Sequence, residues 1–125
     1  MEKSRILIVE DDLDNLELIR ILMLRAGHAV LEAHNGTHAI DVARKEKPDL
    51  IILDVNLPEL DGFSTAQILK SGSDTQHIPI VALTVRTELE DRERAFKVGC
   101  DGYITKPMNV STLADEIGMY LKKSR

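Results

Sequence analysis

Residues 48–56 read Pro-Asp-Leu-Ile-Ile-Leu-Asp-Val-Asn, and their core is the apolar run Leu50-Ile51-Ile52-Leu53 closed by Asp54. An apolar run of strand length with no polar alternation belongs to a strand buried on both faces, as in a parallel sheet. Comparable runs occur at Ile6-Leu7-Ile8-Val9 and Ile80-Val81-Ala82-Leu83, with a shorter one at Tyr103-Ile104. Each is closed by polar residues: Glu10-Asp11-Asp12, Thr84 and, beyond Thr105, Lys106-Pro107.

The remaining chain alternates with these runs. Strands are predicted near 5–9, 29–33, 50–54, 78–83 and 102–104, and helices near 14–26, 37–46, 62–71, 88–98 and 110–122. Gly27 suits a helix C-terminus, Pro58 and Asp61-Gly62 bracket a turn, and Asn109 precedes a helical stripe of Val110, Leu113, Ile117 and Leu121. Alternating β–α units with right-handed crossovers predict an α/β fold: a doubly wound, five-stranded parallel sheet of order 2-1-3-4-5, flanked by five helices. With no repeat or linker, residues 1–125 are expected to form a single domain. In such a sheet the carboxyl ends of the strands share one edge, where ligands bind. Asp54, the acidic triplet, Thr84 and Lys106 would meet there.

Composition narrows the function. The chain is 43% hydrophobic and 30% charged, ordinary for a soluble domain. Only 3% of its 125 residues are aromatic and none is Trp, which disfavours a base-stacking platform. The net charge of -5 opposes a phosphate footprint on nucleic acid. The lone Cys100 allows no internal disulfide, and no segment reaches the roughly 20 apolar residues of a membrane span. Neither nucleic acid nor membrane is therefore expected as a partner, and the cytoplasm is the expected location.

The polar residues suggest a hard cation beside a phosphoryl group. Magnesium needs few protein oxygens and keeps several waters. Asp12 and Asp54 are the expected direct ligands, with Asp11 acting through water and the Asn56 carbonyl adding an oxygen. An acidic helix start, favoured by the helix dipole, is the competing reading of Asp11-Asp12. Asp54 is different, because a carboxylate at the end of a buried strand must be paired or metal-bound. Lys106 supplies a counter-charge and Thr84 a hydroxyl donor.

The stretches ILIVEDD (6–12), PDLIILDVNLPELDG (48–62), IPIVALT (78–84) and GYITKP (102–107) together resemble the receiver domain of two-component response regulators, a flavodoxin-like fold. The resemblance spans residues 5–122 and is closest in kind to the single-domain chemotaxis regulators. It implies a Mg²⁺-dependent phosphoryl transfer to Asp54 from a phosphohistidine on a sensor histidine kinase or phosphotransfer protein. It also implies that Thr84 and Lys106 contact the phosphoryl oxygens, and that Tyr103 is an aromatic switch moving with Thr84. The protein would then change its binding to a downstream target, and homodimerisation through the fourth helix, fifth strand and fifth helix is a family-level expectation. A phosphorelay intermediate, or a receiver taken from a larger hybrid kinase, would carry the same residues.

Some residues depart from the family pattern. Val85 follows Thr84 where a small residue is usual, and Arg86 is a long cation beside it. Together with Asn56 these two are expected to tune phosphoryl lifetime. On the first helix, Leu18, Ile19, Leu22, Met23 and Ala26 form the expected core face, while Ile21 and Leu24 fall outside it as a candidate docking patch. Phe63 and Phe96 are expected in the core, and Cys100 as a packing residue. An aspartyl-phosphate phosphatase is the enzymatic alternative. Its general acid/base two residues after the nucleophile would be Asn56, an amide that cannot exchange the proton. The protein is thus expected to promote only its own phosphorylation and dephosphorylation.

Overall fold

The computed structural model describes residues 4–57, 60–84, 89–106 and 108–123. In chain order the elements are β1 (Arg5–Val9), α1 (Leu13–Arg25), β2 (Ala29–Ala33), α2 (Gly36–Glu46), β3 (Leu50–Asp54), α3 (Gly62–Ser71), β4 (Ile80–Thr84), α4 (Leu89–Lys97), β5 (Gly102–Thr105) and α5 (Leu113–Lys123). All strand pairs are parallel, and the sheet order is β2-β1-β3-β4-β5, as expected. Strands β3 and β4 are buried at every position, which is why their sequences are continuously apolar.

The two-residue strand period divides the core into two layers. Leu7, Val9, Ile51, Leu53, Ile80 and Ala82 pack with Ala39, Ala43, Phe63, Leu69 and Ala95. On the other face Ile6, Ile8, Leu50, Ile52, Val81 and Leu83 pack with Leu16, Ile19, Met23, Leu113, Ile117 and Leu121. The edge strands are less enclosed: β2 exposes Glu32, and β5 alternates between buried and half-buried residues. Between β3 and α3, Gly62 passes so near the strand end that a Cβ there would lie 2.3 Å from Val55 Cα and 2.4 Å from the Asp54 carbonyl oxygen.

Boundaries and faces differ from the sequence expectation in a few places. Strand β4 begins at Ile80 rather than residue 78. The Ile78 N–H donates back to the Thr75 carbonyl, and Pro79 has no N–H to contribute. Helix α5 begins at Leu113 because Asn109 first organises a turn, its side chain accepting from the Ser111 N–H and its carbonyl from the Thr112 and Leu113 N–H groups. On α1 the buried residues are Leu16, Ile19 and Met23, whereas Ala26 is the exposed C-cap. Ile21 and Leu24 are exposed as expected. Phe63 is buried, but Phe96 is 51% exposed, because Ala95 takes the inward position on α4. Cys100 is buried, and burial first, then the nearby Asp101 charge, pushes its thiol up to about 12.

Candidate functional site

Register assembles the site. Val9 pairs with Leu53, so the next residues, Glu10 and Asp54, leave the sheet side by side. Thr84 pairs with Thr105, and the Lys106 N–H donates to the Thr84 carbonyl at 2.6 Å, bringing the lysine to the same edge. The Lys106 ammonium lies 2.8 Å from Glu10 Oε1 and 3.1 Å from Asp54 Oδ2. The second oxygen of each carboxylate is held by the main chain. Asp54 Oδ1 accepts from the Asn56 N–H at 2.9 Å, and Glu10 Oε2 accepts from the Asp11 N–H at 3.1 Å. Glu10, Asp54 and Thr84 are all buried.

The two carboxylates share one cation and respond oppositely. Burial, reinforced by the hydrogen bond and charge of Asp54, raises Glu10 from the usual 4.5 to about 7, against the pull of Lys106. Burial also opposes ionisation of Asp54. The bond from Glu10, the Asn56 N–H and Lys106 outweigh it and hold Asp54 below the usual carboxylate value. For Lys106, burial favours the neutral amine, but its bonds and charges with Glu10 and Asp54 raise it instead. A proton shared by the pair therefore favours Glu10, and the negative charge favours Asp54. The arrangement presents an ionised oxygen nucleophile clamped between a backbone donor and an ammonium.

The expected metal ligands are placed differently from the sequence reading. Oxygens of Glu10, Asp11 and Asp54 lie within 4.8 Å of one another, and Asp12 is not part of that group. Asp12 instead caps α1, its Oδ1 accepting from the Asp14 N–H at 2.9 Å and the Asn15 N–H at 3.3 Å. The structure thus brings Glu10 and Asp11, and not Asp12, beside Asp54. Glu10 was missed as a site residue, although it is the first polar residue after the β1 run, as Asp54 is after Leu53. Three carboxylates against one ammonium leave the cluster electron-rich, and this all-oxygen set fits a hard divalent cation.

Other expected residues fall around this centre. Asn56 is exposed, and Tyr103 is half-buried on β5 with the Arg92 guanidinium 5.4 Å from its ring centre. Val85 and Arg86 lie outside the described residues. Ile21 and Leu24 stand on α1 with Leu13, which is 68% exposed at the helix start and was not singled out in the sequence.

Comparison with known proteins places this geometry in a family. Residues 6–118 match the response regulator receiver domain. The polar-differentiation response regulator DivK of Brucella anthropi is 39% identical over 121 residues, covering 97% of this chain and 98% of that protein. The chemotaxis response regulator CheY4 of Vibrio cholerae superposes with a TM-score of 0.90 at 29% identity, over 95% of this chain and 99% of the other. The receiver domain of sensor histidine kinase PA1611 from Pseudomonas aeruginosa, solved with a magnesium ion coordinated in its active-site cleft, gives 0.89 at 28% identity, covering 97% and 99%. The chain belongs to the response regulator receiver domain family of two-component signalling.

Proposed function

We propose that this protein is a signalling switch that takes a phosphoryl group onto Asp54 from a phosphohistidine of a sensor kinase or phosphotransfer protein. The observation that carries this reading is the Asp54 carboxylate, buried yet held ionised beside Lys106. In the transfer an Asp54 carboxylate oxygen bonds to phosphorus while the phosphorus–nitrogen bond breaks, and the imidazole leaves with the electron pair. The Asn56 N–H orients the carboxylate through Oδ1. Lys106, already between the two acids, can turn to a phosphoryl oxygen as Asp54 loses its charge to the new ester-like bond. Thr84, at the end of β4, supplies a hydroxyl to the same group, and Tyr103 on the adjoining β5 follows Thr84 to alter the outer surface.

Glu10, Asp11 and Asp54 are the side chains that would hold magnesium, with the Asn56 carbonyl as a further oxygen. A bound magnesium ion supplies positive charge against the phosphoryl oxygens. Asn56 offers no general base for water, so the acyl phosphate persists as a signal rather than turning over as in a phosphatase. Asn56, Val85 and Arg86 together set its lifetime.

Leu13, Ile21 and Leu24 are exposed apolar residues on α1, suited to contact with a helical phosphodonor. Phe96 and Met119, 51% and 59% exposed on α4 and α5, suit a target or a second copy across α4, β5 and α5.

The test is exposure to acetyl phosphate with Mg²⁺ followed by intact-mass measurement. One phosphoryl group is expected on the unsubstituted protein and none on Asp54→Asn. A protein that gains nothing from acetyl phosphate or from a cognate kinase, or an Asp54→Asn variant that still gains, would overturn the reading. Ile21→Asp with Leu24→Asp should slow transfer from the kinase while leaving acetyl phosphate labelling unchanged.

A further inference from the structure

Beside the phosphoacceptor a polar cleft opens between β3, α3 and α4, lined by Val55, Asn56, Leu57, Asp61, Phe63, Thr84 and Arg94. Two of these, Asn56 and Thr84, already flank Asp54, so the cleft is continuous with the site. Its one lining cation is Arg94, whose guanidinium carbon sits 4.3 Å from the centre of the Phe63 ring. At that distance the ring face attracts and orients the flat guanidinium. Phe63 is itself buried at the start of α3, so the platform is rigid. The one lining acid, Asp61, has Oδ1 occupied by the Ser64 N–H at 2.8 Å as the α3 N-cap. Arg94 also makes no ion pair with a carboxylate among the described residues. Its guanidinium is the positive charge that the lining presents to the cleft.

We propose that Arg94 is a donor-contacting residue that selects small phosphodonors with an anionic leaving group. The inference rests on phosphorylation at Asp54. With an acyl phosphate, Asp54 oxygen bonds to phosphorus, the phosphorus–oxygen bond breaks, and a carboxylate departs with the electron pair. Negative charge grows on that leaving oxygen in the transition state, on the side of phosphorus away from Asp54. A cation waiting in the cleft stabilises it without having to reorganise. With phosphoramidate, the phosphorus–nitrogen bond breaks and the protonated nitrogen leaves as neutral ammonia. No anion develops there, and Arg94 contributes nothing.

The experiment compares phosphorylation rates with acetyl phosphate and with phosphoramidate in Arg94→Gln, Arg94→Lys and the unsubstituted protein, all with Mg²⁺. Arg94→Gln should lose roughly fivefold with acetyl phosphate and less than about twofold with phosphoramidate, a difference of about 1 kcal/mol or less at 1.36 kcal/mol per tenfold. Arg94→Lys should recover part of the loss, because it keeps the charge and gives up the flat stacking geometry. Phe63→Leu, which removes the ring under Arg94, should shift the same donor ratio in the same direction, with circular dichroism confirming its fold. A donor ratio unchanged by Arg94→Gln overturns the proposal, whether both rates fall together or neither changes. Failure of the unsubstituted protein to accept from either donor would instead count against Asp54 as the acceptor, so the two failures are distinguishable.

Discussion

Glu10→Gln isolates the cost of holding two carboxyl groups on one ammonium. Glu10 is fully buried, and its acid form is favoured from the usual 4.5 up to about 7. Between those values the folded protein keeps a proton that the unfolded chain has released. Folded-state proton excess makes stability fall as pH rises. The favourable contribution is complete below pH 4.5 and gone above pH 7. A rise of about 2.5 units at 1.36 kcal/mol each corresponds to about 3 kcal/mol lost across that window. Asp54 moves in the opposite sense, but its window lies below the ordinary 3.8 and does not overlap. Gln keeps the shape of the protonated acid without the titration. Urea unfolding at pH 4.5 and pH 8 in EDTA should show the unsubstituted protein losing about 3 kcal/mol more than Glu10→Gln over the interval. Saturating Mg²⁺ should erase the difference in the unsubstituted protein, because a cation binds the ionised acid and displaces its proton. Equal pH slopes in the two proteins would refute the assignment of the shared proton to Glu10.

Other perturbations probe the frame. Gly62→Ala places a Cβ 2.3 Å from Val55 Cα and should cost roughly 1–3 kcal/mol in urea unfolding while loosening the Asp54 loop. Lys70 joins the end of α3 to the start of β4 and β5, donating to the Ile78 carbonyl at 2.7 Å and pairing with Asp101 at 2.9 Å. Lys70→Met should therefore destabilise by roughly 1–2 kcal/mol, since Asp101 is partly solvated and the Coulomb part is screened. Cys100, buried with its thiol pushed up to about 12, should resist thiol reagents in the native state and react only on unfolding.

What could be read from the chain alone follows the physics of each feature. Strands β3 and β4 announce themselves because burial on both faces excludes every polar residue until the sheet edge. Asp54, Thr84 and Lys106 were legible for that reason: a polar residue at the end of such a run is at the edge. The same rule would have selected Glu10, the residue after Val9, over Asp12. It was obscured because three acids stand together, and only the Val9–Leu53 register shows which of them faces Asp54. Asp12 is set apart by its neighbour Leu13, the first residue of α1, which makes it a cap. Phe96 was misplaced for a different reason. Hydrophobicity argues for burial, but the inward position on a nine-residue helix belongs to Ala95, and its neighbour Phe96 is turned outward. Arg94 carried no signal, since its meaning depends on a ring 31 positions earlier in the chain.

The bridge from Lys106 to Glu10 joins residues 96 positions apart. Between them the chain must complete β1, β3, β4 and β5 in register before the ammonium can reach either acid. A nascent or half-folded chain would carry Asp54 without its clamp, as an ordinary solvated carboxylate with no special reactivity. The ability to receive a signal thus depends on the whole sheet being in register. A cell using this protein would draw its responses only from copies whose sheet has closed.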